Sequence, residues 1–85
     1  MFPVDLETSP DRNTSQLEAK YANYFQTGHN AVEFLIEFGQ SYAGDPNLLL
    51  HTRIITNPAY AKHFLALLDS ALRKYESEHG PIEEP

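Results

Sequence analysis

The spacing of apolar residues changes at Asn57-Pro58, and that change limits what the chain can fold into. Before it, apolar residues alternate at every second position, as strands with one buried face require. After it they recur at every third or fourth position, as an amphipathic helix requires. Together the two patterns predict an α+β domain in which a three-stranded antiparallel sheet is followed by one long C-terminal helix packed on one face. At 85 residues the chain is a single domain near the lower end of what one core can stabilise.

Residues 1–16 hold Pro3, Pro10, Asp11, Asn13, Thr14 and Ser15 with little period and read as a flexible N-terminal arm, although Phe2, Val4 and Leu6 alternate as a docking strand would. Residues 17–82 read as the domain and residues 83–85 as an acidic tail. The first strand is expected over residues 17–27, where Tyr21, Tyr24 and Phe25 supply bulk that favours strands. Gly28-His29-Asn30 is expected to form a tight turn that uses positive φ. In the second strand, Val32 to Gln40, Val32, Phe34, Ile36 and Phe38 face one way and Glu33, Leu35 and Glu37 the other. Gly44-Asp45-Pro46-Asn47 is a turn by composition, and Leu48 to Thr56 is the third strand. Asn57 caps a helix that starts at Pro58, where a missing N–H costs nothing, and stops near His79 ahead of Gly80-Pro81. Its apolar stripe is Ala61, Phe64, Leu65, Leu68, Ala71, Leu72 and Tyr75.

Simple hairpins would set Phe25 opposite Phe34 and Tyr21 opposite Phe38. Tyr21, Phe25, Phe34, Ile36, Phe38, Leu50 and Ile54 would then form the core under the helix. The second face would carry Tyr24, Leu35, Leu49 and Ile55 beside Glu33, Glu37, His51 and Arg53, with Glu37 opposite His51 and diagonal to Arg53. A half-apolar open face and two sheet edges both ask for cover, so the expected assembly is a homodimer. In that dimer Tyr24, Leu35, Leu49 and Ile55 make the contact while Glu33, Glu37, His51 and Arg53 fix the register.

The formal net charge of −6 and pI near 5.0 disfavour nucleic acid and anionic membranes, because phosphate contacts come from Lys and Arg and only six such residues exist. The absence of cysteine excludes disulfides, thiolate metal sites and thiol nucleophiles, and fits a reducing compartment. Neither a signal peptide nor a membrane-length apolar run is apparent, so the expected location is cytoplasmic. His29, His51, His63 and His79 lack metal-ligand spacing, and His63 and His79 lie too far apart on one helix to share an ion. Glu33 and Glu37 share a strand face, but a flat face beside Arg53 does not tune a carboxyl for acid–base work. Ser41, Thr52 and Ser70 form no triad, and the four glycines are too dispersed for a phosphate loop. These observations point to a non-enzyme without metal or cofactor.

From about Lys20 to Ile82 the chain carries Tyr21-Ala22-Asn23, Gly28-His29, Glu33-Phe34, Phe38-Gly39 and His51-Thr52-Arg53-Ile54, then Pro58, Ala59, Ala61-Lys62, Leu68, Tyr75-Glu76 and Gly80-Pro81-Ile82. In these elements it resembles a family of small bacterial proteins known as a domain of unknown function, with the arm before Leu17 outside the match. The resemblance implies a bacterial source, supplies no activity, and marks Gly28, His29, His51 and Arg53 for mutation. The sequence expectation is therefore a homo-oligomeric protein-interaction module, adaptor or chaperone-like, with an unidentified protein partner. The alternative is a single-stranded nucleic-acid binder using the open sheet face around Tyr24, His51 and Arg53.

Overall fold

The computed structural model describes residues 17–85, so the arm expected at residues 1–16 lies outside the described residues. Its elements are β1 (Tyr24–His29), β2 (Phe34–Ser41), β3 (Leu48–Thr56) and α1 (Pro58–His79). The strands form one antiparallel sheet in the order β1-β2-β3, and the fold is α+β.

The end of β3 and the whole of α1 fall where the sequence places them. Asn57 is extended, with φ −109° and ψ 166°, and its side-chain oxygen accepts the Tyr60 N–H at 2.8 Å. Pro58 follows in the first turn, where its fixed φ suits the helix and its lost N–H is an orphan anyway. At the far end Gly80 adopts φ 91° and donates its N–H to the Glu76 carbonyl at 2.9 Å.

The first hairpin differs from expectation. Gly28 and His29 are the last two residues of β1 rather than turn residues. Gly28 is not among the residues with positive φ, so nothing in its backbone requires glycine. The reversal is made by Asn30, whose side-chain oxygen accepts the N–H groups of Val32 at 2.9 Å and Glu33 at 2.7 Å. This is the local side-chain mimic of a turn that Asn favours. Moving the turn shifts the register: Phe25 lies opposite Phe38, not Phe34, and His29 lies opposite Phe34. Tyr21 pairs with no strand residue, because β1 begins only at Tyr24.

The second correction comes from a bulge. Phe38 pairs with Thr52 and Gly39 with Leu50, which leaves His51 as an extra residue in β3. One extra residue reverses the facing of everything before it. Leu50 therefore shares a face with Glu37, and Leu49, opposite Gln40, shares the face of Phe38. The sequence expectation had these two leucines the other way round. Gly39 permits the arrangement, since a Cβ there would stand 2.7 Å from the Leu49 carbonyl oxygen and 2.9 Å from Leu50 Cδ2.

Register partners share a face, so the sheet has two distinct sides. One side carries Phe25, Phe34, Ile36, Phe38, Leu49 and Ile54; Phe25 and Phe38 meet edge to face, with ring centres 5.8 Å apart. The other carries Tyr24, Leu35, Leu50 and Ile55 around Glu37 and Arg53.

The helix does not cover either side within its own chain. No residue of α1 is buried, and α1 touches the sheet only marginally, whereas the strands pair along their lengths. The radius of gyration is 15.3 Å, against about 12 Å for a compact domain of this length. The expected packing of helix on sheet fails at the connector: only Asn57 separates Thr56 from Pro58, and its cap holds it extended. Connections that return a helix over its sheet usually take about 2–6 residues.

Three substitutions test this account. Asn57→Ala removes the cap and should lower stability by about 1 kcal/mol in urea unfolding at fixed protein concentration. Gly39→Ala should cost on the order of 1–3 kcal/mol through the forced contact with Leu49 and Leu50. Gly28→Ala, which meets nothing within 4 Å, should instead gain about 0.4–1 kcal/mol by restricting the unfolded chain.

Candidate functional site

The polar feature that sets this sheet apart is Glu37. It stands in the middle strand with Gln26 opposite on β1 and Arg53 opposite on β3, and it is 7% exposed on a sheet whose apolar residues are largely open. Arg53 donates from Nε at 2.7 Å and from Nη2 at 2.6 Å, both to Glu37 Oε2. A carboxylate taken from water needs such a cation, since an unpaired buried charge is strongly unfavourable. The sequence places Arg53 diagonal to Glu37; the bulge makes the two directly opposite and moves His51 away.

His51 has a different task. Its Nε2 lies 2.8 Å from the Tyr21 carbonyl oxygen, which can only accept, so this nitrogen carries the proton. Its Nδ1 lies 2.7 Å from Thr52 Oγ1. The ring thus ties the chain ahead of β1 to the bulge of β3. The expected pairing of His51 with Glu37 is absent, because the bulged residue turns toward Tyr21 instead.

The remaining candidates separate. Glu33 precedes β2, and its Oε1 accepts from Asn30 Nδ2 at 3.2 Å, so it belongs to the turn and not to an acid–base pair with Glu37. Tyr24 donates its hydroxyl to Gln26 Oε1 at 3.3 Å. Leu35 and Ile55 are register partners on the Glu37 face, while Leu49 is on the other. Gly28, His29, Leu35 and Ile55 border a shallow depression beside the first turn, where the His29 ring lies 5.3 Å from that of Phe34.

Sequence reasoning gave Asn23 no role and placed Asn30 in the first turn without the side-chain bonds that make it. Asn23 donates from Nδ2 to the Ser41 carbonyl and accepts the Ser41 N–H, both at 2.8 Å, so its carboxamide extends the sheet beyond β1. Asparagine's capacity to imitate a peptide group is the available signal, and nothing in apolar spacing reveals it. Among the described residues no group of three or more His, Asp or Glu stands close enough to hold a metal ion. Among them, too, no helix is long and apolar enough to cross a membrane.

The family model described as "Protein of unknown function (DUF3467)" matches residues 4–84. The chain belongs to this family. The match includes most of the N-terminal arm, which the resemblance seen in the sequence had left out. No curated protein and no solved structure matches the chain.

The ion pair yields an ordered prediction. Arg53→Met strands the Glu37 carboxylate and should destabilise by on the order of 1–3 kcal/mol. That is below the range for fully buried pairs because the Arg53 side chain is 67% exposed and water screens it. The double variant Glu37→Leu with Arg53→Met should recover most of the loss, measured by denaturant midpoints of all three proteins.

Proposed function

We propose that this chain is a non-enzymatic, homo-oligomeric protein-interaction module. The observation that carries the reading is the exposure of its large apolar side chains. Eighteen of them, from Leu17 to Ile82, are between 39% and 75% exposed, and among the described residues no apolar side chain is buried. A domain of this size is stabilised by only a few kcal/mol even with a complete core. Leaving Phe25, Ile54, Phe64, Leu68 and Leu72 in water forfeits about 1.5–3 kcal/mol for each side chain that could be fully buried. A second copy supplies cover for the same surfaces at once, because a two-fold interface is self-complementary.

The sheet side around Glu37 and Arg53 has the make-up of a recognition surface, with tyrosine, leucine and isoleucine around a fixed charge pair. It is the surface we assign to a further protein partner, in an adaptor or chaperone-like role. The single-strand nucleic-acid reading has less support. Its intended cation, Arg53, is held by Glu37, and the net charge is −6.

Light scattering coupled to size exclusion, from low micromolar concentration upward, should give a dimer or larger assembly. Apolar association should hold or tighten as salt rises, where phosphate binding would weaken steeply. A well-folded monomer at micromolar concentration overturns the reading.

A further inference from the structure

The chain carries two apolar surfaces that it leaves uncovered, on elements of similar length. Along α1, Phe64, Leu65, Leu68, Leu72 and Tyr75 share one stripe, all of them exposed. The opposite face is charged and internally paired, with Arg73 Nε donating to Asp69 Oδ2 at 2.9 Å. On the sheet, Phe25, Ile36, Phe38, Leu49 and Ile54 form a side with no charged member. At about 1.5 Å per residue the 22 residues of α1 span roughly 33 Å. At about 3.3 Å per residue the nine residues of β3 span roughly 30 Å.

The two surfaces belong together by chemistry and size, yet one chain does not bring them together. Asn57 alone connects β3 to α1, and its carbonyl and side chain are both engaged in the first turn, by Ala61 at 2.9 Å and Tyr60 at 2.8 Å. We propose that α1 of each copy packs on the Phe25–Phe38–Ile54 side of the sheet of a second copy, giving a reciprocal, helix-exchanged dimer. This rests on the homo-oligomer reading and specifies which surfaces meet.

Area supports the choice of occupant. Eight side chains (Phe25, Leu49, Ile54, Phe64, Leu65, Leu68, Leu72 and Tyr75) are each about half exposed. At about 100 Å² each, one helix-on-sheet contact covers up to roughly 800 Å², and two contacts related by a two-fold axis cover about 1,600 Å², the size of a standard specific interface. Residues 1–16 are the competing occupant within the chain. They contain only Met1, Phe2, Val4 and Leu6 as large apolar residues and could not cover sheet and helix together. Exchange satisfies both surfaces with one operation and closes, leaving no unpaired copy to propagate a chain.

The lack of cysteine makes the test direct. One preparation carries Ile54→Cys and another Leu68→Cys; they are mixed, dissociated, reassembled and oxidised. The expected product is a disulfide-linked heterodimer at twice the chain mass, formed poorly when Ser70→Cys on the polar face replaces Leu68→Cys. In the Ile54→Cys/Leu68→Cys double variant, a bridge that closes within one chain overturns the exchange. Wild type supplies a second readout that needs no substitution. In a mixed sample of isotope-labelled and unlabelled chains, nuclear Overhauser contacts between Leu68 or Leu72 methyls and the Phe25 or Phe38 rings should cross between chains. Contacts from Phe2, Val4 or Leu6 to those rings would hand the sheet to the arm and overturn the proposal. A wild-type monomer by light scattering removes the homo-oligomer reading and the exchange with it. A dimer without these cross-links and contacts removes the exchange alone.

Discussion

A single residue, Asn57, joins the sheet to the helix, and the character of the molecule follows from that connector. A strand that runs straight into a capped helix has no slack with which to fold the helix back. The cap makes the junction stiffer, because two bonds from the first turn end on Asn57. Helix and sheet are then both well formed and both incomplete. The helix satisfies its own interior backbone and the middle strand is paired on both sides, which is why regular structure persists over 22 helical residues and three paired strands. Neither buries its apolar side within the chain, so the burial still to be gained would have to come from contact with something else.

The two sides of the sheet differ in kind, and the bulge at His51 makes them so. By inserting one residue it brings Arg53 directly opposite Glu37 and lays Leu50 over Gly39. It also releases His51 to hold the Tyr21 carbonyl, fixing where the chain enters the sheet. The outcome is one side without charge, suited to a helix stripe, and one side with an ion pair whose Glu37 is buried and whose Arg53 is open to water. Buried pairs rarely add much net stability, but a wrong register here would leave Glu37 buried without its cation. The pair is therefore better understood as fixing the alignment of β2 and β3 than as holding them together.

How much of this the sequence reveals depends on how local each signal is. The helix and its start are legible because Asn57-Pro58 acts on its own neighbours, and Gly80 ends it in the same way. β3 is legible from its run of branched residues. The first turn is misread because Gly28 attracts attention as the residue most tolerant of turns, while Asn30 forms the turn by accepting the N–H groups of Val32 and Glu33 on its side chain. The bulge is invisible to apolar counting: Leu48, Leu49 and Leu50 are the same residue type, so a one-place slip among them leaves the pattern unchanged. Glu37, Arg53, Leu35, Tyr24 and Ile55 are correctly grouped on one side because their strands keep strict alternation there. Leu49 and His51 are lost from the group because both lie at or before the inserted residue.

Sequence also suggests a helix resting on the sheet, since an apolar stripe and an apolar face imply each other. Periodicity establishes that the two surfaces are complementary, but it carries no information about which copy supplies which. Connector length bears on that choice, and it is a geometric quantity independent of hydrophobic pattern. If each sheet takes its helix from another copy, burial of the core and assembly become one equilibrium, and stability then depends on protomer concentration. The apolar side of the sheet would be spent on self-assembly, leaving Tyr24, Leu35, Leu50 and Ile55 around Glu37 and Arg53 as the surface open to a different partner. A small chain can in this way separate the residues that make it fold from the residues that make it bind, on the two faces of the same three strands.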